Sequence, residues 1–142
     1  EFDSLYKMID DVYHEIALSM HLTDSAFLIL YCLLELGDGC SQKDICKLYS
    51  ISKQTVNSSV KSLEGKGFLV RKTGVGMDIH LFFTEFGRKF SEEHIGPVFD
   101  MENATFESMK PSECELLLSL TRKYVQILKK NMKQYVLEEK EF

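Results

Sequence analysis

SKQTVNSSVKSLEGKGFLVRK, residues 52–72, is the stretch whose reading decides the fold. Ser52 is a strong N-cap, because its short hydroxyl can accept a hydrogen bond from an otherwise unpaired N–H of the first helical turn. Val56, Val60 and Leu63 then recur at i, i+4 and i+7, one face of an α-helix, and Gly65 with Gly67 closes it. At about 100° per residue the opposite side carries Gln54, Thr55, Ser58, Lys61 and Ser62, with Lys53 and Asn57 on its flank. No acidic residue appears before Glu64. A face of short polar groups and lysines can meet base edges and phosphates together. Beyond the glycines the chain turns β-rich.

Upstream of this helix, Ser41 caps a shorter one over residues 42–49, with Ile45 and Leu48 expected inward and Lys43 and Lys47 outward. The turn Tyr49-Ser50-Ile51-Ser52 joins the two, and Ile51 with Val56 forms a hydrophobic staple that fixes the entry angle. Two short capped helices joined this way make a helix-turn-helix. Before them, Thr23 caps a helix over 24–36, with Leu22 and Phe27 as its staple; being apolar nearly all round, it should be the most buried. From about Asp3 to His21, Leu5, Met8, Ile9, Val12, Tyr13, Ile16 and Met20 trace one apolar stripe on a first helix.

Downstream, residues 68–73 and 79–83 are two β-rich runs around a loop holding Gly74 and Gly76, which reads as a hairpin, and a hairpin after a helix-turn-helix is a wing. Thr84 caps a fifth helix through Phe86 and Phe90, with a kink or break predicted at Gly96-Pro97. Met101–Lys110 reads as the rest of that helix followed by a loop. Ser112 with Glu115 reads as a capping box opening a last helix that reaches about Val136, with Leu116, Leu117, Leu120, Tyr124, Ile127, Leu128 and Tyr135 inward. The fold class is therefore mainly α with a small β-hairpin wing (α+β).

The 142 residues suffice for one domain with a real core, without disulfides or metal. The longest apolar run, Ala26–Leu34, is far short of the ~20 residues of a membrane span, and the N-terminus lacks a signal-peptide pattern, so a cytoplasmic protein without membrane attachment is expected. The net charge of −5 argues against DNA, but its distribution reverses that. Residues 41–73 hold seven basic and two acidic side chains, a segment of +5 set in a remainder of −10. A basic helix-turn-helix is an electrostatic footprint for phosphate.

In this order and spacing the chain resembles the MarR family of bacterial transcription regulators. The resemblance rests on Leu22-Thr23 followed by Phe27 and Leu30, on Ser41-Gln42-Lys43-Asp44-Ile45, on Ile51-Ser52 with Thr55-Val56, and on Leu63-Glu64, Lys66-Gly67-Phe68 and Arg71. Phe83-Thr84 with Gly87, and Ser112-Glu113, complete it. It covers essentially the whole chain. It implies a single domain over 1–142, in which 1–21 and 97–142 are mainly dimerisation helices and 22–96 mainly a winged helix-turn-helix lobe. Two chains would interlock as a homodimer, each offering its lobe to one half of a near-palindromic operator, with recognition helices about 34–36 Å apart. A repressor relieved by a small-molecule effector is the expected role, with no cofactor and no metal. The family's wing commonly carries an acidic residue and an arginine where this chain has Val75 and Met77, and Asp78-Ile79-His80 has histidine for arginine. The wing is thus expected to contribute less than is usual.

The residues expected at bases are Gln54, Thr55, Ser58 and Lys61; Ser52, Lys53, Asn57, Lys43, Arg71 and Lys72 are expected at phosphates. The family's effector cleft would be lined by Tyr13, Phe27, Tyr31, Phe90 and Phe99, although aromatics at helical spacing are more often core. Three competing readings remain. A winged-helix protein-interaction module would use the unusual wing and the acidic body. A redox-responsive regulator would need a reactive thiol, for which Cys40 and Cys114 are the exposed candidates, Cys32 and Cys46 facing inward. A metal-responsive one would draw on His14, His21 and His94. Nothing supports an enzyme: there is no glycine-rich phosphate loop, no H-E-x-x-H and no paired carboxylates on a strand scaffold.

Overall fold

The computed structural model of the protein describes residues 1–137, except for the side chain of Val75. The last five residues of the segment expected to dimerise, 138–142, lie outside the described residues. The chain forms two compact units, Glu1–Val98 and Phe99–Phe142.

The first unit runs α1 (Phe2–Ser19), α2 (Asp24–Leu36), α3 (Gln42–Tyr49), α4 (Lys53–Gly65), β1 (Leu69–Thr73), β2 (Ile79–Phe83) and α5 (Glu85–His94). Its helix starts are set by local chemistry. Thr23, Ser41, Ser52 and Thr84 each accept from a backbone N–H three residues on, at 3.1, 3.0, 3.1 and 3.0 Å. Asp44 returns the favour to the Ser41 N–H, completing a capping box. Around α2, whose Ile29, Leu30 and Leu33 are fully buried, pack Ile45 of α3, Val56, Val60 and Leu63 of α4, Leu69 of β1 and Leu81 of β2. Leu48, expected inward, is exposed instead. The eight-residue α3 is little more than two turns long, and Ile45 alone carries its apolar seam.

The strands are antiparallel, with Leu69 opposite Phe83 and Thr73 opposite Ile79. A third short segment extends this hairpin: Gly39 donates to the Leu81 carbonyl at 2.8 Å, Leu81 donates to that of Cys40 at 2.9 Å, and Ser41 pairs with His80. Asp38 accepts from the Phe83 N–H at 2.9 Å and pairs with Arg88, so the loop after α2 is fastened to both wing and α5. Gly87 is required by close approach, since a Cβ there would lie 1.7 Å from the Phe68 carbonyl oxygen.

The break foreseen at Gly96-Pro97 is present. The α5 helix stops at His94 and a separate helix, α6 (Gly96–Glu107), begins with Pro97 in its first turn, where the missing N–H costs nothing. Residues 101–107, expected as a helical remnant, are thus helix, and a loop follows. In the second unit α7 (Pro111–Met132) has its capping box at Lys110 and Glu113, two residues earlier than the expected box at Ser112 and Glu115. Proline presets the helical φ at the first position, and Glu113, not Glu115, accepts the Lys110 N–H at 2.9 Å. Beyond Met132 the winding changes to π over Lys133–Leu137, where regular α-helix was expected to reach about Val136. None of the residues of α7 is buried. Among the described residues no single helix is long and apolar enough to cross a membrane.

Candidate nucleic-acid interface

The α4 helix is held by its apolar side and presents the other. Val56, Val60 and Leu63 are at most 1% exposed, whereas Lys53, Gln54, Thr55, Ser58 and Lys61 are exposed and Asn57 is half-buried. A hydroxyl pair, Ser25 Oγ to Ser59 Oγ at 2.7 Å, pins the edge of α4 to α2. Ser52 both accepts from the Thr55 N–H and donates to the Thr55 hydroxyl at 2.8 Å, so these two side chains first serve the helix start. The Thr55 hydroxyl keeps its own proton to donate. Lys43, on the outer side of α3, is exposed.

The one carboxylate of α4 is taken up internally. Glu64 accepts from Arg71 Nη2 at 2.8 Å, Nε at 3.1 Å and the Arg71 backbone N–H at 3.1 Å. The Arg71 guanidinium beside it holds the Glu64 carboxyl below its usual range. Arg71, expected at phosphate, is therefore committed to fixing β1 onto α4. Among the described residues no ion pair engages Lys43, Lys53, Lys61 or Lys66, so their charges stand uncompensated. The ammonium of Lys72 lies over the Phe82 ring, 4.7 Å from its centre. His80 Nδ1 is 2.7 Å from the Gly39 carbonyl and donates to it, which spends that ring nitrogen on the wing base. At the wing tip a 3₁₀ turn, Val75–Met77, leaves Met77 84% exposed at a φ of 65°.

Sequence reasoning missed the Glu64–Arg71 pair, whose members stand seven residues apart and meet only because the turn at Gly65–Gly67 brings β1 back along α4. It also missed a cleft of about 220 Å³ beside α4, lined by His21, Ser25, Ser58, Ser59, Ser62 and Lys66 among others. Of the expected effector-pocket residues, Phe27 and Tyr31 lie together with ring centres 5.9 Å apart. Phe90 sits in a different cluster, with Phe68 at 5.0 Å and His94 at 4.6 Å. Tyr13 is half-buried on α1, and Phe99 belongs to the second unit.

Cys40, expected to be exposed, is buried, because its backbone carbonyl joins the sheet at Leu81. Burial pushes the Cys32 thiol up to about 12 and that of Cys40 to about 11. Cys114 is half-buried and donates to the Phe106 carbonyl at 3.4 Å. Among the described residues no group of three or more His, Cys, Asp or Glu is placed to hold a metal ion.

Residues 22–76, from the cap of α2 to the wing tip, match the family model described as MarR family. That match takes in the helix-turn-helix and the first strand of the wing. The fold agrees along the rest of the chain. A MarR family regulator from Neisseria meningitidis superimposes with a TM-score of 0.81 and 21% identity, covering 94% of each chain. MepR of Staphylococcus aureus, in its complex with DNA, gives 0.71 and 21%, covering 90% of this chain and 98% of its own. BpsR of Bordetella bronchiseptica, whose DNA binding is regulated by 6-hydroxynicotinic acid, gives 0.67 and 21%, covering 87% and 89%. No curated protein matches the chain. At these identities the likeness to MarR structures is one of fold.

Proposed function

We propose that the protein is a sequence-specific DNA-binding transcription regulator, a homodimeric repressor on a near-palindromic operator whose affinity an effector lowers. The observation that carries this reading is the free face of α4, where Gln54, Ser58 and Lys61 are exposed and the helix's one carboxylate is bound to Arg71. Gln54, Thr55, Ser58 and Lys61 read bases, and Ser52, Lys53, Asn57 and Lys43 meet phosphates. Arg71 and Lys72 act at the wing base, with Arg71 positioning α4 and β1 relative to each other. Residues 22–96 form the DNA-binding lobe; 1–21 and 97–142 supply the dimer contacts. Support for the dimer comes from the uncovered apolar side chains of α1 and α7, among them Leu5, Ile9, Leu116 and Leu120. Cytoplasmic location and a small-molecule effector follow from the role.

Operator release then follows from geometry. Two α4 helices separated by about one DNA turn fit successive major grooves, and an effector that shifts one by a few ångströms deprives a half-site of its contacts. The test is duplex binding followed across salt concentrations. Replacing Lys53 or Lys61 with alanine lowers the slope of log affinity against log salt by about one each. Slopes identical to wild type would remove Lys53 from the phosphate contacts and Lys61 from the surface that meets DNA. A second reading, a protein-interaction module, is favoured by the bare Met77 at the wing tip; absence of retention on a nonspecific DNA column at low salt would select it.

A further inference from the structure

The cleft beside α4 has a composition that selects for charge. Its polar lining consists of hydroxyls with two basic side chains, His21 and Lys66, and includes no carboxylate. The nearest acids are turned elsewhere: Asp24 is 2.8 Å from His14 Nδ1, and Glu64 is bound by Arg71. The Ser25 hydroxyl lies 2.7 Å from that of Ser59 and 3.5 Å from that of Thr23, so these three hydroxyls form a linked group on the wall of the cleft. Ser58, Ser62 and Lys66 add further donors on α4, and Lys66 has no ion-pair partner among the described residues. Donors surrounding a space without acceptors of full negative charge favour an oxyanion. At about 220 Å³ the cleft is below the range of about 300–1,000 Å³ used by drug-sized ligands, and it suits a tetrahedral group.

We propose that this cleft, between the α1–α2 turn and α4, binds a phosphate group, and that its occupant is one phosphate of the DNA backbone. The assignment rests on the DNA-binding reading above. What favours a diester over free phosphate is the position of the cleft: its wall includes Ser58 and Ser62, both exposed on the polar side of α4. A phosphate within a strand has two bonds leading outward and needs an open cleft continuous with the surface that meets DNA. The site would clamp the strand flanking the major groove while Gln54 and Lys61 engage bases, fixing how deeply α4 enters.

The test uses the full chain and a duplex titrated across salt concentrations, comparing wild type with Lys66→Ala and Ser62→Ala. Both positions are exposed, so neither change threatens the fold. Lys66→Ala should lower the salt slope by about one. Ser62→Ala should weaken binding by roughly three- to tenfold at an unchanged slope, the signature of a lost neutral hydrogen bond to phosphate. A lysine acting only through its distant field would leave Ser62→Ala silent, and that result overturns the proposal. Wild-type binding to duplex with both variants indistinguishable from it overturns it too. If wild type fails to bind duplex at any salt, the DNA-binding reading falls and the DNA assignment with it. The companion measurement is an NMR titration with inorganic phosphate against chloride at matched ionic strength. Saturable shifts at Ser25 and Ser62 that Lys66→Ala abolishes, in a protein whose duplex binding ignores both substitutions, would make the occupant a free anion and overturn the DNA source.

Discussion

Along α4, Val56, Val60 and Leu63 are buried by neighbours from α2, α3 and β1. Along α7, Leu116, Leu120 and Ile127 keep the same kind of spacing, yet remain 57%, 53% and 46% exposed. Each buried side chain on α4 contributes roughly 1.5–3 kcal/mol to the lobe's own stability. The leucines of α7, about half exposed, draw much less of that contribution from the described residues of their own chain. Periodic apolar residues announce that a face must be covered; they do not say by what. In α4 the cover is intramolecular, which leaves the opposite face exposed, the face proposed here to meet DNA. In α7 the cover proposed here is a second copy.

The largest effect that could break this contrast comes from placing the same charge on both helices. Val60→Asp puts an unpaired carboxylate into the core of the lobe and should cost on the order of 4–5 kcal/mol, enough to unfold it, as read by urea denaturation. Leu120→Asp should leave the lobe's amide protection intact and convert dimers to monomers in sedimentation. If Leu120→Asp unfolds the lobe as Val60→Asp does, α7 is core and the contrast collapses. Next comes Gly87→Ala. Its Cβ would meet the Phe68 carbonyl oxygen at 1.7 Å, backbone that cannot step aside, and a loss of about 1–3 kcal/mol should appear in the denaturation midpoint. A neutral result would show that α5 and β1 can part without cost.

Smaller still is Glu64→Gln. The Arg71 and Glu64 side chains are 28% and 34% exposed, so solvent screening holds the pair's contribution to about 1 kcal/mol or less. The pair's pH dependence has a definite sign. Because Arg71 holds the Glu64 carboxyl below its ordinary value near 4.3, the stabilisation is present above that pH and is lost as pH falls through the lowered value. Wild type and Glu64→Gln should therefore converge in stability in acid, and a gap that widens there would contradict the assignment. The smallest effect concerns the thiols. With Cys32 held near 12 and Cys40 near 11, both stay protonated at pH 8, and labelling of the folded protein by a thiol reagent should be far slower at these two than in the denatured chain. Rapid labelling at Cys40 would return a redox role to consideration.

What the sequence made legible was what is written within a few residues. The caps at Thr23, Ser41, Ser52 and Thr84 act on N–H groups three positions away, and the seam of α4 repeats every turn, so both were readable. The third segment of the wing was not, because Cys40 and Leu81 meet across forty residues and nothing local marks the pairing. Arg71 was legible as a basic group and illegible as an occupied one, since its partner depends on how the turn at Gly65–Gly67 folds β1 back along α4. The start of α7 was misplaced because two acids near Ser112 competed for one role, and proline's preset geometry favoured Glu113. The cleft beside α4 was invisible for a different reason: His21 and Lys66 become neighbours only after α2 and α4 pack.

The most direct test of the central claim is selection of randomised duplex DNA by the purified protein, sequenced after rounds at two salt concentrations. The account predicts an enriched near-palindrome whose half-sites lie about one helical turn, 34–36 Å, apart, with affinity falling as salt rises. Sequence-independent retention that disappears at the higher salt, with no enriched motif, would contradict it.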